Sequence, residues 1–260
     1  MHHPQAASRD SVAQTASNII ERVRRRSPRV HCVTNTVAQN FTANALLALG
    51  CVPSMTLSPG EIGAFVSGAQ GLLVNLGTFD DERREAIGIA AEAAAKQQLP
   101  WVLDPVFVDR APSRAAFARE LIGRRPVVIR LNNTEFSTLA GDAPSRDAAM
   151  AFARANQMVV ALSGVIDLVT DGDRVASVAN GDPLMTKVTA MGCAVSAVVT
   201  ACLTVEPDAF EATIAALLLV TVAGELAAEK SDGPGTFAAA VIDALYRLDG
   251  MALVARAKVS

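Results

Sequence analysis

Aromatic side chains and paired cysteines are both scarce in this chain of 260 residues. Aromatic residues make up 4% of it, with a single Trp and a single Tyr, which argues against an aromatic-rich β-sandwich. The abundance of Ala, Val and Leu favours helices packed on a parallel sheet. With only three His and no CxxC pair, neither a zinc site nor a secreted disulfide framework is expected. The four cysteines are Cys32, Cys51, Cys193 and Cys202.

The chain also lacks an excess of basic charge and a long apolar run. Its formal net charge is -3, so we expect no nucleic-acid partner. The longest apolar run, TIAALLLVTVAG (Thr213 to Gly224), is too short to span a bilayer and predicts a buried core helix. The first residues, MHHPQAASRDSVAQ, contain no apolar signal core. These features predict a soluble cytoplasmic protein with no membrane partner.

The pattern of apolar residues predicts one α/β domain over residues 1–260, with an N-terminal helix and tail in residues 1–28. Val12, Ala16, Ile19 and Val23 recur at helical spacing, and Pro28 ends that helix. Short strand-like runs then alternate with helices, which indicates βαβ units around a mainly parallel sheet. The runs are RVHCVTN, CVPSM, GLLVNLG, PWVLDP, PVVIRLN and MVVALSG. IDLVTDGDRVASVAN predicts a hairpin turning at DGD, and the chain is mostly helical from Cys193 onward.

Polar side chains follow several of the predicted strands, at the point where each strand ends. In a parallel α/β sheet, ligands bind outside the carboxyl ends of the strands, so these residues indicate a site at one edge. They are Asn35, Asn75, Asp104, Arg130, Asn132 and Ser163.

Two carboxylates in these segments have alternative interpretations. Asp104 closes a strand, and Glu135 lies in NNTEFSTLAG, where Asn132 or Asn133 is a candidate helix cap. Glu135 is either the acidic member of a capping box or part of a magnesium site, directly or through water. Mg²⁺ prefers one or two carboxylates together with waters and substrate phosphates.

The segment VTAMGC, ending at Cys193, predicts a phosphate-binding helix N-terminus. A helix beginning near Gly192 presents unpaired backbone N–H groups, and glycine allows the backbone to approach a phosphate. The same field is expected to favour the thiolate of Cys193. The alternative is that Cys193 is a small buried hydrophobe. No GxxxxGK[ST] or kinase-type glycine-rich motif is present in the sequence.

Taken together and in order, several segments resemble the hydroxyethylthiazole kinase family of the ribokinase-like superfamily. The resemblance covers about residues 30–248 and implies a three-layer α/β/α fold. The matching segments are VHCVTNTVAQNFTANALLALGCVPSM, LLVNLGTF, PWVLDPVFV, VVIRLNNTEFSTLAG, ALSGVIDLVTDG, NGDPLM, VTAMGC and DGPGTFAAAVIDAL.

The resemblance implies roles for individual residues. Cys193 matches the family's cysteine beside the reacting hydroxyl, where ribokinase relatives have an Asp base, and we expect it to position the acceptor with some base character. The implied substrate-binding residues are Met55, Asn35 and Ala190. The implied ATP-binding residues are Arg130, Ser163 (a Thr in the family), Asn132 and Gly192. The implied Mg²⁺ residues are Asp104 and Glu135. The resemblance also implies a homotrimer with the thiazole site between subunits.

Three departures from the family pattern bear on the substrate. Ala190 stands where the family usually has Gly, Asp182 replaces a His, and GDAPSRDAA replaces a GVDS segment. A methyl group at residue 190 would crowd the acceptor and disfavour a positive φ.

The expected activity is ATP-dependent phosphorylation of 4-methyl-5-(2-hydroxyethyl)thiazole in thiamine salvage. The alternatives are a ribokinase-like kinase for a pyrimidine or other alcohol, or an inactive nucleotide-binding homologue. For Met55, a core position at a strand end is the alternative to a substrate contact.

Overall fold

The computed structural model describes residues 9–260, with side chains from residue 10 onward, and it centres on one eight-stranded sheet. The predicted tail of residues 1–8 lies outside the described residues. In sheet order the strands run β2-β1-β3-β4-β5-β6-β7-β8. The strands are β1 (Arg29–Val33), β2 (Val52–Ser54), β3 (Gly71–Asn75), β4 (Trp101–Asp104), β5 (Val128–Asn132), β6 (Val159–Ser163), β7 (Asp167–Thr170) and β8 (Val175–Val178).

Pairing within the sheet is parallel from β2 to β6 and antiparallel from β6 to β8. The β7–β8 hairpin turns at the predicted DGD segment, where Gly172 has a φ of 100°. Because β1, β3, β4, β5 and β6 are parallel neighbours, their carboxyl ends lie along one edge of the sheet. That edge carries the polar residues identified from the sequence.

Helices cover both faces of the sheet, so the predicted three-layer α/β/α class is confirmed. They are α1 (Arg9–Arg26), α2 (Gln39–Ala48), α3 (Ile62–Ser67), α4 (Asp81–Gln97), α5 (Pro112–Gly123), α6 (Asn133–Ala140), α7 (Arg146–Asn156), α8 (Met191–Leu203), α9 (Ala209–Ala228), α10 (Pro234–Arg247) and α11 (Gly250–Arg256), with a 3₁₀ turn at Pro183–Lys187.

Alternate residues of the central strands enter two separate cores. Val30 and Cys32 of β1 pack in the core formed with α1, α2, α8, α9, α10 and α11, whereas Val33 packs in the core formed with α3 to α7. The period of two along the strands explains why both faces bury apolar residues. Ile19 in the first core and Phe136 in the second are completely buried.

Helix α9 contains the apolar run that the sequence indicates as a core helix. By length and composition it is able to cross a membrane, but 78% of its most apolar window is buried inside the protein. It packs against α1, α8 and α10, which is the arrangement of a core helix.

Candidate active site

Helix α8 begins at the sheet edge with its first turn uncapped by any side chain. Its N-cap, Ala190, has φ 70° and ψ -5°, in the left-handed region. This backbone turns the chain so that Ala194 N donates to Ala190 O at 2.9 Å. The N–H groups of Met191, Gly192 and Cys193 therefore lie at the positive end of a 13-residue helix, a geometry suited to an anion.

Arg130, at the end of β5, lies against this helix N-terminus. A Cβ on Gly192 would lie 3.2 Å from Nη1 of Arg130, so the absence of a side chain there allows the close approach. The buried Nε of Arg130 has no hydrogen-bond partner within residues 9–260. An arginine with an unsatisfied donor beside a helix N-terminus is suited to bidentate contact with a phosphate.

A cavity of about 570 Å³ adjoins these groups. Its volume is in the range of small-molecule and cofactor sites. Of the four predicted ATP-binding residues, the cavity is lined by Arg130, Ser163 and Gly192, together with the segment of residues 179–182. The Ser163 hydroxyl donates to Leu131 O at 3.1 Å, so its oxygen keeps acceptor capacity while its proton is used.

Asn132, the fourth predicted ATP-binding residue, has a helix-capping role. Its Oδ1 accepts from the backbone N–H groups of Thr134 and Glu135, both at 2.9 Å. Glu135 completes a capping box, because its Oε2 accepts from Asn132 N at 2.9 Å and its Oε1 accepts from Phe107 N at 3.1 Å. The capping alternative for Glu135 is thus what the structure contains. Burial raises the pKa of Glu135, and the nearby charge of Asp104 contributes in the same direction.

Asp104 ends β4 and is buried. Its Oδ2 accepts from Asn75 Nδ2 and from Ser196 Oγ, each at 2.8 Å. Burial raises the pKa of Asp104, although the Arg130 charge and these two hydrogen bonds oppose the shift. No group of three or more His, Cys, Asp or Glu is close enough to hold a metal within the described residues. A cation at Asp104 and Glu135 would therefore depend on waters and substrate phosphates for its other ligands.

The Cys193 thiol lies between two asparagine amides. Asn35 Nδ2 donates to its Sγ at 3.3 Å and Asn75 Nδ2 does so at 3.4 Å. Burial, followed by the charge of Asp104, raises the pKa of Cys193 to about 11. The expectation that Cys193 is a thiolate is wrong, because burial and the charge of Asp104 outweigh the two amide donors and the charge of Arg130 in setting its pKa. Cys193 is a neutral thiol near pH 7.

Two predicted substrate-binding residues, Asn35 and Met55, follow β1 and β2, on the opposite side of β4 from Arg130 on β5. Asn35 follows β1 and contacts Cys193 as described, whereas Met55 follows the outermost strand, β2. Met55 is half-buried and packs against the core that contains α2 and α8. The contacts of Met55 match its core alternative, and its contact with a substrate stays a prediction.

Asn75 and Arg83 organise the site without having been given a role from the sequence. Asn75 joins Asp104 to Cys193, and its Oδ1 accepts from Gly77 N at 3.0 Å. Arg83 on α4 donates through Nη1 to Thr34 O at 2.9 Å and to Gly77 O at 3.2 Å, and so links the loops after β1 and β3. The position of Asn75 at a strand end was the sequence signal, but its two partners are distant in sequence.

Comparisons with known proteins agree on one family. The model described as the hydroxyethylthiazole kinase family matches residues 20–250. A probable hydroxyethylthiazole kinase of Agrobacterium fabrum is 44% identical over 247 residues, which cover 95% of this chain and 95% of the relative. The hydroxyethylthiazole kinase of Clavibacter sepedonicus is 45% identical over 244 residues, or 89% of each chain.

One of the similar solved structures has the same family name. The hydroxyethylthiazole kinase protein of Pyrococcus horikoshii superimposes with a TM-score of 0.90 at 35% identity, covering 94% of this chain and 98% of that one. An ADP complex of Bacillus subtilis pyridoxal kinase has a TM-score of 0.59 at 20% identity, covering 75% of this chain and 90% of that one. The second similarity shows a shared fold only.

Proposed function

The chain belongs to the hydroxyethylthiazole kinase family, and we propose that it transfers the γ-phosphoryl group of ATP to the primary hydroxyl of 4-methyl-5-(2-hydroxyethyl)thiazole. This reaction is a salvage step toward thiamine. The hydroxyl oxygen forms a bond to the γ-phosphorus while the bond from that phosphorus to ADP breaks, and the hydroxyl proton is released. The chemistry is dominated by positioning and by neutralisation of phosphate charge.

One observation carries the proposal: the guanidinium of Arg130 lies against the open N-terminus of α8. Among the described residues the buried Nε of Arg130 has no hydrogen-bond partner, and Gly192 leaves room for its Nη1. Cys193 is the next residue, so the phosphate-facing turn and the acceptor-facing thiol are adjacent. The phosphates of ATP would contact Arg130 and the N–H groups of residues 191–193, with the nucleotide in the cavity that Ser163 also lines.

The acceptor would bind beside Cys193, Asn35 and Asn75, with Met55 and Ala190 as further contacts. A thiol with a pKa of about 11 is a poor base at neutral pH, so Cys193 positions the hydroxyl and does not remove its proton. A loose phosphoryl-transfer transition state needs little assistance from a base. The Ala190 side chain, on backbone with φ 70°, would restrict which acceptors fit there.

Asp104 and Glu135 are the proposed magnesium residues. Both are buried carboxylates whose charges repel each other, and both hydrogen bonds that Asp104 accepts end on Oδ2. Each oxygen of Glu135 accepts one backbone donor and keeps a second lone pair. This donor set fits a hydrated Mg²⁺ held largely through water. When bound, Mg²⁺ would neutralise charge on the β- and γ-phosphates.

We also propose a cytoplasmic homotrimer with the thiazole site between subunits, as the family resemblance implies. The outermost strand, β2, supports this assembly, because its Val52 is 51% exposed and the neighbouring Phe65 of α3 is 43% exposed. These two residues line a shallow groove with Arg29 and Ser54. Burial of such an apolar edge by another subunit would remove it from water.

A coupled ADP-release assay with purified protein tests the proposed activity. The acceptors are hydroxyethylthiazole, a hydroxymethylpyrimidine and pyridoxal, each with and without Mg²⁺. We expect magnesium-dependent ADP release with hydroxyethylthiazole well above that with the other two. Faster turnover of another alcohol would reassign the substrate, and ATP binding without turnover of any alcohol would indicate an inactive homologue.

A further inference from the structure

The cavity proposed for the nucleotide has one wall held by a distant part of the chain. Residues 179–182, here named the cavity loop, line the cavity with Arg130 and Ser163. Residues 257–260, here named the anchor segment, run antiparallel to β8 from the level of the loop. Val178 and Val259 form an antiparallel bridge, and Ala179 N donates to Lys258 O at 2.8 Å.

Asn180 connects the loop to the anchor segment through its Oδ1, and its Nδ2 connects the loop to helices α11 and α9. Its Oδ1 accepts from Lys258 N at 2.6 Å, and its Nδ2 donates to Arg256 O at 2.8 Å and to Glu225 Oε1 at 3.1 Å. The residue is only 5% exposed. Because the oxygen and both N–H groups of this buried amide are bonded, only one orientation of the Asn180 side chain satisfies its hydrogen bonds.

Glu225, on the core helix α9, is the second connection. Its Oε1 accepts from Gly181 N at 3.1 Å and from Lys258 Nζ at 2.9 Å, in addition to Asn180. Gly181 has a φ of 135°, a backbone conformation that other residues rarely adopt. The cavity loop is therefore fixed at Ala179, Asn180 and Gly181, and two of those three residues bond directly to the anchor segment.

We propose that the anchor segment, acting through Asn180 and Glu225, holds the cavity loop in the shape that binds the nucleotide. Asn180, Glu225 and Lys258 are then positioning residues for ATP, although none of them belongs to the phosphate-binding turn. The inference rests on the proposed function, because it takes this cavity as the nucleotide site. Loss of the anchor is expected to affect nucleotide affinity selectively, since Cys193 and Asn35 lie outside this network.

Two proline variants in the same segment test this. Lys258→Pro removes the N–H that donates to Asn180, and the preceding Ala257 already has φ -56° and ψ 127°, which a following proline tolerates. Ser260→Pro removes the N–H that donates to Ser177 O at 3.1 Å, a bond to β8 outside the loop. Each variant loses one backbone donor from the anchor segment, so the pair separates loop positioning from general loss of pairing. Lys258→Pro also loses the Nζ bond to Glu225, and Lys258→Met, which loses that bond alone, controls for it.

Steady-state kinetics and calorimetric ATP binding are the readouts. We expect Lys258→Pro to raise KM for ATP and Kd for ATP by about fivefold or more, since a buried Asn180 oxygen loses its donor, while kcat and KM for hydroxyethylthiazole stay within about twofold. Ser260→Pro should leave both ATP constants unchanged. Lys258→Met keeps the backbone donor and should give a smaller rise than Lys258→Pro.

Unchanged ATP constants in folded Lys258→Pro, or equal rises in the two proline variants, would overturn the inference. If Lys258→Pro does not fold, Glu225→Ala decides by the same readouts, because Glu225 is not among the residues that line the cavity and its removal takes the acceptor from Asn180 Nδ2, Gly181 N and Lys258 Nζ. Turnover by the wild-type protein distinguishes failure of the anchor role from failure of the proposed function. Wild-type turnover with unaffected variants rejects only the anchor role, whereas absence of wild-type turnover rejects the proposed function.

Discussion

The protonation state of Cys193 gives the most detailed prediction. Burial and the neighbouring Asp104 raise its pKa to about 11, against the partial opposition of Asn35, Arg130 and Asn75. Because each pH unit below the pKa reduces the ionised fraction tenfold, about one molecule in ten thousand carries the thiolate at pH 7. Alkylation of Cys193 by iodoacetamide should be slow at pH 7 and should accelerate about tenfold per pH unit up to about pH 10.

Peptide mass spectrometry measures this rate at Cys193 directly, with Cys193→Ala as the control for the other cysteines. If Cys193 only positions the acceptor and accepts no proton, its removal should cause a smaller loss of kcat than removal of a general base. A general base contributes about 10² to 10⁴ in rate, so we expect Cys193→Ala to lower kcat by less than about a hundredfold. Cys193→Ser keeps an acceptor for Asn35 and Asn75 and should retain more activity than the alanine variant. An alkylation pKa below about 8, with a ten-thousandfold loss of kcat in Cys193→Ala, would refute the reasoning.

Three further predictions concern other residues. Ala190→Gly should raise the free energy of unfolding by about 0.5 kcal/mol. The variant avoids the cost of about 1–2 kcal/mol for alanine in left-handed backbone but adds the larger chain entropy of unfolded glycine. Calorimetry that shows a clear loss of stability would contradict this. Gly192→Ala should displace Arg130 Nη1, 3.2 Å from the added Cβ, and lower kcat/KM about tenfold or more with little change in Tm; unchanged kcat/KM would contradict the contact. His31 has a pKa lowered to about 4 by burial, so the unfolded chain alone gains its proton as pH falls from about 6.5 to 4, and stability should fall over that window by the order of 3 kcal/mol. His31→Gln should flatten that slope in chemical denaturation, and an unchanged slope would assign it to other groups.

The strands and the site edge could be predicted because burial on both faces leaves a direct record in the sequence. Runs such as GLLVN and WVLD are continuous in apolar residues, and each ends in a polar residue at the carboxyl edge. Helices α5 and α7 were not identified individually. In α5 the apolar period that marks a helix is weak, and in α7 the period is present but its buried positions, Ala149 and Ala153, are alanines rather than large apolar residues.

The protonation of Cys193 could not be predicted, because it depends on partners far away in sequence. The helix N-terminus is a local feature and favours a thiolate, whereas the burial of the thiol and the charge of Asp104 arise only when β4 and α8 pack together. The same limit applies to Asn180, whose bonds to Glu225 and Lys258 span 45 and 78 residues. Polar residues at strand ends indicate where a site lies, but the number of donors and acceptors at each atom follows from tertiary contacts.

Glu135 shows where the sequence leaves two interpretations open. A capping box and a metal-associated carboxylate require the same residue type at the same position, three residues after the cap. The structure contains the capping box, and its geometry leaves a lone pair on each oxygen. Competence for Mg²⁺ is therefore a question for binding measurements on Glu135→Gln, which keeps the cap acceptors in part and removes the charge.

Product analysis of wild-type protein and Arg130→Met tests the central claim most directly. Incubation with ATP, Mg²⁺ and hydroxyethylthiazole should yield ADP and the phosphorylated thiazole in equal amounts, identified by mass spectrometry. Arg130→Met, which removes the unsatisfied guanidinium while keeping a long side chain, should lose about a hundredfold or more in kcat/KM. Absence of the phosphorylated thiazole from the wild-type reaction, or full activity in Arg130→Met, would contradict the account.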